Sequence, residues 1–312
     1  MKKKLIAILI LILIFFSTAC SDSSLNTVEQ KEPVEQEKSG PPQSGGTINL
    51  ATTSTLNLDP LMANDDETKA IVGLIYEGLV KIDGQGMVQP ALAESWQIDD
   101  ASRIYTINLR KDVKWHNGEK FSSEDVKATF DKITELKKYK YKDYEPGFPE
   151  FDNIQSYEAI DEKTFSISLF KPDANFLYEM NRGILSASFI EASKAKKNTE
   201  RTTIPEFIGT GPFKVASKES DSVSLKRNDD YFGEKPYIEE INIKIYPDNT
   251  SRKEAFTKGD IDIITIEPVD WNIFHEMEDV YLLQYPSRYF EFAAVNLTNP
   301  ILSDIKVRQA IL

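Results

Sequence analysis

The chain has 312 residues, 40% hydrophobic and 11% aromatic, enough apolar surface for packed domains and more length than one core usually takes. Its 37 basic and 50 acidic residues leave a net charge of −13. That balance argues against nucleic acid, which needs a basic stripe to displace phosphate counterions, and against electrostatic docking on anionic lipid.

In chain order, MKKKLIAILILILIFFSTAC has a charged start, an apolar run from Leu5 to Phe16 and then small residues. As a helix that run spans about 18 Å, short of the roughly 30 Å hydrocarbon core, so residues 1–19 are expected to be an export signal. Cys20, the single cysteine, follows Ser17, Thr18 and Ala19. The placement resembles the lipobox of bacterial lipoproteins, with Ser17 where leucine is usual, and it implies a lipid on Cys20. An ordinary signal peptide with a chance cysteine is the alternative. One cysteine permits no intrachain disulfide, so the fold must stand on its core. Residues 20–44 are polar and acidic with little to bury, the composition of a disordered tether.

From Gly45 to Thr55 a glycine pair leads into apolar and polar alternation, a strand signal. A turn is expected at Asp59-Pro60. The segment DDETKAIVGLIYEGLVKID is expected to be helical, with Ile71, Leu74, Ile75 and Leu79 near helix spacing. After a turn at Gly84-Gln85-Gly86, Ile104, Thr106 and Asn108 alternate with Tyr105, Ile107 and Leu109, again a strand. In DVKWHNGEKFSSEDV, Asn117-Gly118 is a two-residue hairpin signal, because both residues accept positive φ. Ser122 with Asp125 three residues on predicts a capping box opening the helix VKATFDKITEL. Those two assignments account for the acids around His116. The other histidine, His275, lies far off without a ligand pattern, so no metal site is expected.

Tyr139 to Phe151 is an aromatic loop punctuated by Pro and Gly, and SYEAIDEKTFSISLFKP returns to strand alternation. Gly209-Thr210-Gly211 lacks the Gly-Lys-Ser/Thr of a phosphate loop, and Pro212 interrupts it. YIEEINIKIYPD is expected to be a strand, TSRKEAFTKGD a helix and IDIITI a buried strand. Strands alternating with helices make this an α/β chain.

Six segments, in order, carry a resemblance. They are IYEGLV (Ile75 to Val80), the stretch from Leu92 to Val126, GTGPFKV (Gly209 to Val215), KRNDDYFG (Lys226 to Gly233), GDIDI (Gly259 to Ile263) and VRQAI (Val307 to Ile311). Over about residues 45–312 the chain resembles the extracytoplasmic solute-binding proteins of the dipeptide, oligopeptide and nickel transporter family. The resemblance implies a two-lobed, periplasmic-binding-protein-like α/β fold of class II, cluster C type. It assigns 45–76 and 172–288 to the first lobe, 77–171 to a subdomain inserted in it, and 289–312 to the start of the second. Family members are longer, so most of the second lobe is expected to be missing, as in a truncated reading frame or a fragment.

The function implied is capture of peptides between two lobes by a lipid-anchored monomer, which hands them to an ABC permease driven by its ATPase. The protein is then exported and held at the outer face of the cell membrane, or is periplasmic. No enzyme activity, cofactor, metal or nucleic acid is expected. A nickel-complex or other small-solute binder is one alternative, and a surface lipoprotein with an adhesion or signalling role is another. The resemblance places Met62, Ala63, Asn64 and Asp65 at the cleft, with Thr265, Ile266 and Glu267 near it. Tyr289, Phe290 and Phe292 sit where the family's chain crosses between lobes. Core packing is the competing role for each aromatic, and a solvated helix start for Asp65.

Overall fold

The computed structural model describes residues 41–138, 148–195, 207–283 and 295–311. Two compact units divide the chain: Met1–Ile48 with Leu56–Asn242, and Asn49–Thr55 with Ile243–Leu312. The division cuts through the first strand, β1 (Thr47–Thr52), which follows two glycines of positive φ.

In the first unit Asp65 caps α1 (Asp66–Ile75) by accepting the Thr68 N–H at 2.9 Å, and the acids at 66 and 67 suit the positive helix end. The helix stops at Ile75, earlier than the apolar spacing predicts, and Leu79 lies beyond it. Tyr76 is extended, and a Cβ on Gly78 would fall 2.4 Å from the Asn181 backbone, so this glycine lets two chain segments touch. The hairpin β2 (Val80–Ile82) to β3 (Val88–Pro90) closes on Asp83, whose carboxylate takes the N–H groups of Gln85 and Met87, while Gly86 supplies φ 79°.

Four antiparallel strands follow: β4 (Ala93–Ile98) and β5 (Ile104–Leu109), then, after the helix α2 (Ser123–Lys138), β6 (Ile154–Asp161) and β7 (Thr164–Leu169). Their order is β4-β5-β7-β6. The strand expected at SYEAIDEKTFSISLFKP is therefore two, folded back at Glu162-Lys163 by an Asp161 carboxylate that accepts the Lys163 N–H. Tyr105, Ile107 and Leu109 alternate inward, as expected, and face the same core as Phe165, Ile167 and Leu169. Across that core, α2 contributes Val126 and Phe130, whose ring lies 4.9–5.2 Å from those of Phe151, Tyr157 and Phe165. The Ser122 N–H donates to Asp125 at 2.8 Å, the return bond of the capping box. Asp125 also takes the Ala187 N–H at 2.8 Å, at the start of a later helix.

Next come a short helix, α3 (Phe176–Glu179), and α4 (Ala187–Ala195), then β8 (Phe213–Lys218), β9 (Ser222–Arg227) and β10 (Glu240–Ile245). The sheet order is β1-β10-β9-β8, and the unit boundary recurs within β10.

In the second unit Asp248 caps α5 (Asn249–Lys258), and Gly259 at φ 79° ends it in the left-handed conformation. IDIITI is not a buried strand. One parallel bridge, Leu50 to Ile263, joins it to β1, and Ile263 is 57% exposed. Among the described residues that bridge is its one strand pairing, and of its four isoleucines only Ile261 is buried. Among the described residues the unit also holds α6 (Trp271–His275) and α7 (Ile305–Ile311). No helix among the described residues is long and apolar enough to cross a membrane.

Candidate functional site

The first group of expected site residues forms one loop of the first unit, built on Asp59. Its carboxylate accepts the Leu61 N–H at 2.8 Å and its carbonyl the Met62 N–H at 2.9 Å, which makes the predicted Asp-Pro turn. Burial raises the Asp59 pKa, against the Leu61 bond and the charge of Lys132. Pro60 is buried under Gly183, where a Cβ would approach the proline to 2.9 Å. The turn is thus rigid, and it presents Met62 half-buried, Ala63 buried, and Asn64 and Asp65 exposed. Asp65 works as the helix cap, so its acid has a structural task whatever else it touches.

The second group lies in the second unit. Thr265 and Glu267 are exposed and Ile266 half-buried; the Thr265 carbonyl accepts Arg252 Nη2 at 3.2 Å. The Glu267 carbonyl accepts the Asp270 N–H at 2.9 Å, and the Asp270 carboxylate holds Lys253 with both oxygens at 2.8 and 2.9 Å. This fixes the direction of the chain after Ile266. Tyr289, Phe290, Phe292 and Cys20 lie outside the described residues.

Residues that sequence reasoning did not single out as partners form a polar seam in the first unit. At one end the His116 ring Nδ1 accepts the Gly209 N–H at 3.1 Å, and Nε2 lies 3.0 Å from the Gly211 carbonyl. Desolvation lowers the His116 pKa to about 4. At the other end Tyr231 Oη donates to Glu77 Oε1 at 2.5 Å, while Glu77 Oε2 is buried without a hydrogen bond among the described residues. Desolvation raises the Glu77 pKa to about 7, although the Tyr231 bond and the charges of Lys81 and Arg110 pull it down. Arg110 lies over the Phe232 ring and clasps Asp112 with Nε and Nη2.

The turn at Asn117-Gly118 differs from the expected form. Only Gly118 has positive φ, its N–H returns to the Trp115 carbonyl, and Trp115 N–H reaches Glu119. This is a three-residue loop that aims His116 inward instead of a two-residue hairpin. With both ring nitrogens on backbone groups, His116 is spoken for. Among the described residues no three His, Cys, Asp or Glu side chains converge as metal ligands do. A hollow under α2, lined by Phe130, Phe151, Met180 and Arg182 among others, holds about 10 Å³, room for roughly one water and too little for a solute.

A sequence profile described as bacterial extracellular solute-binding proteins, family 5 (middle), matches residues 87–312. The dipeptide-binding protein of Escherichia coli K12 is 29% identical over 257 residues, 76% of this chain and 48% of that protein. Among solved structures, the oligopeptide-binding protein AppA of Bacillus subtilis, in complex with a nonapeptide, superposes with a TM-score of 0.66 at 25% identity, over 87% of this chain and 54% of its own. NikZ of Campylobacter jejuni, in complex with Ni(L-His), gives 0.64 at 28% identity, over 85% of this chain and 52% of its own. The chain spans about half the length of the curated relatives it matches.

Proposed function

The chain belongs to the bacterial extracellular solute-binding proteins of family 5, and from that premise we propose that it captures peptides for an ATP-driven importer. Members of this family are transport binding proteins and not enzymes. The observation that carries the peptide reading is the likeness to dipeptide- and oligopeptide-binding proteins over 76% and 100% of the chain. Peptides suit the site residues, since backbone pairing gives affinity and tolerant, partly wet pockets accept varied side chains. In this reading Met62, Ala63, Asn64 and Asp65, with Thr265, Ile266 and Glu267, line the solute site, joined by Tyr289, Phe290 and Phe292. Cys20 carries a lipid after removal of residues 1–19, and 20–44 tethers the body to the outer face of the membrane beside a permease and its ATPase. The protein works as a monomer.

A nickel complex is the second reading, because a nickel-binding relative is 32% identical over 193 residues. His116 does not favour it, since both its nitrogens are engaged by Gly209 and Gly211. Calorimetric titration of the full chain with di-, tri- and oligopeptide pools, and separately with a nickel–histidine complex, decides between the two. Heat with peptides alone supports the proposal. Saturable heat with the nickel complex and none with peptides overturns it.

A further inference from the structure

Helix α5 reaches the second group of expected site residues through two neighbouring side chains. Arg252, buried, donates through Nη2 to the Thr265 carbonyl at 3.2 Å, and Lys253 holds both oxygens of Asp270 at 2.8 and 2.9 Å. The helix itself is fixed at its start by Asp248, which accepts the Ser251 N–H at 2.7 Å, and at its end by Gly259, whose N–H returns to the Phe256 carbonyl at 2.9 Å. Asp270 closes the 3-10 turn Pro268–Asp270, and its N–H returns to the Glu267 carbonyl at 2.9 Å. One line of bonds therefore runs from α5 through Lys253 and Asp270 to Glu267, and a second from Arg252 to Thr265.

Among the described residues few other bonds hold that stretch. Upstream, the Ile263 bridge to Leu50 and the Asp262 N–H on the Asn49 carbonyl at 2.8 Å tie the chain to β1. Past that point the N–H groups of Thr265, Ile266 and Glu267 donate to no described residue, so no ladder keeps the segment in line. Farther on, the Phe256 and Phe274 rings pack α6 on α5 with their centroids 5.7 Å apart. The ion pair sits between these two fixed points. Asp270 is buried, and Lys253 is its one cation among the described residues. Without that ammonium the carboxylate is a buried charge with no counter-ion, which is drawn toward water and takes the turn with it.

We propose that Lys253 is a positioning residue of the solute site: it holds Asp270, and through Asp270 the turn that presents Thr265, Ile266 and Glu267. This rests on the reading above that those three residues line the site. The clamp acts before the solute arrives, because it removes backbone freedom that binding would otherwise have to remove. Ordering the backbone of one further residue on binding corresponds to about a tenfold loss of affinity. The clamp also leaves three main-chain N–H groups set in place for a peptide to meet.

The test is calorimetric titration of the full chain with the peptide pools and with the nickel–histidine complex. It compares the natural protein with Lys253→Met, Lys253→Arg and Lys258→Met. The urea midpoint and the exchange rate of the Asp270 N–H are measured on the same samples. Lys258→Met is the control, since Lys258 pairs with Glu254 at 3.7 Å on the exposed side of the same helix. Lys253→Met is expected to bind solute about tenfold more weakly and to exchange the Asp270 N–H about tenfold faster. Lys253→Arg keeps the charge and should stay within about threefold of the natural protein in both, as should Lys258→Met. Should Lys253→Met fail to fold, Lys253→Met with Asp270→Leu removes the buried charge as well and should show the same loss of affinity. Unchanged affinity in Lys253→Met beside faster Asp270 exchange overturns the proposal and leaves the site reading standing. A loss that Lys253→Arg does not recover, or that Lys258→Met shares, overturns it too. Binding of the nickel complex alone overturns the peptide reading, while the same loss and recovery on that complex supports the positioning role. A natural protein that binds no solute overturns both.

Discussion

Gly209→Ala is the sharpest perturbation of the loop that holds His116. A Cβ at position 209 would lie 1.8 Å from the Ile75 carbonyl oxygen and 2.6 Å from its carbon, and both atoms are backbone. Ordinary contact begins at 3.4 Å, so the loop has to move by about 1.5 Å. That displacement stretches the Gly211 N–H bond to Ile75 (2.9 Å) and the His116 N–H bond to Gly209 (2.9 Å) beyond use. Overpacking costs about 1–3 kcal/mol and each lost hydrogen bond about 1 kcal/mol, a total of about 3–5 kcal/mol. Against a domain stability of about 5–15 kcal/mol the loss is large. Urea unfolding measures it as a lower midpoint at an unchanged slope. Gly73→Ala is the control: Gly73 is exposed in α1 with nothing within 4 Å of a built Cβ, so it should stabilise by about 0.5–1 kcal/mol. A Gly209→Ala protein within about 1 kcal/mol of the natural one would refute the close-approach reasoning.

Two further changes test other links. Asp125→Ala leaves the N–H groups of Ser122, Ala187 and Trp115 without their acceptor in a buried place, so thermal and urea unfolding should show a loss of about 3 kcal/mol or more. Cys20→Ser should release the exported protein from the membrane fraction into the soluble one on cell fractionation, if the lipid on Cys20 is the anchor; retention in membranes contradicts that role.

The parts of the fold that were legible in the sequence are those fixed by local chemistry. Alternation at 104–109 is enough to orient β5, and Ser122 with Asp125 marks the start of α2. The misplaced boundaries come from contacts distant in sequence. Nothing near Ile75 announces that Gly78 must meet Asn181, so the apolar spacing ran on to Leu79. The turn at Glu162-Lys163 has no glycine or proline; an Asp161 side chain closes it, and Ser123 secures the start of α2 to the carbonyls of Asp161 and Glu162. The candidate site divides the same way. The Asp59-Pro60 turn was visible as a dipeptide, whereas Glu77 and Tyr231 are 154 residues apart and met only when the loops folded together. Two glycines at 209 and 211 beside a distant His-Asn-Gly turn were the only trace of the His116 clamp.

The measurement that bears most directly on the function is native mass spectrometry of the protein released gently from its own cells, reading chain mass and bound mass together. Capture of peptides predicts a chain that carries a distribution of peptide-sized masses, lost on partial unfolding and regained on mixing with a peptide pool. A chain that is empty, or that carries one metal complex and no peptide, and that stays so after such mixing, would contradict the account.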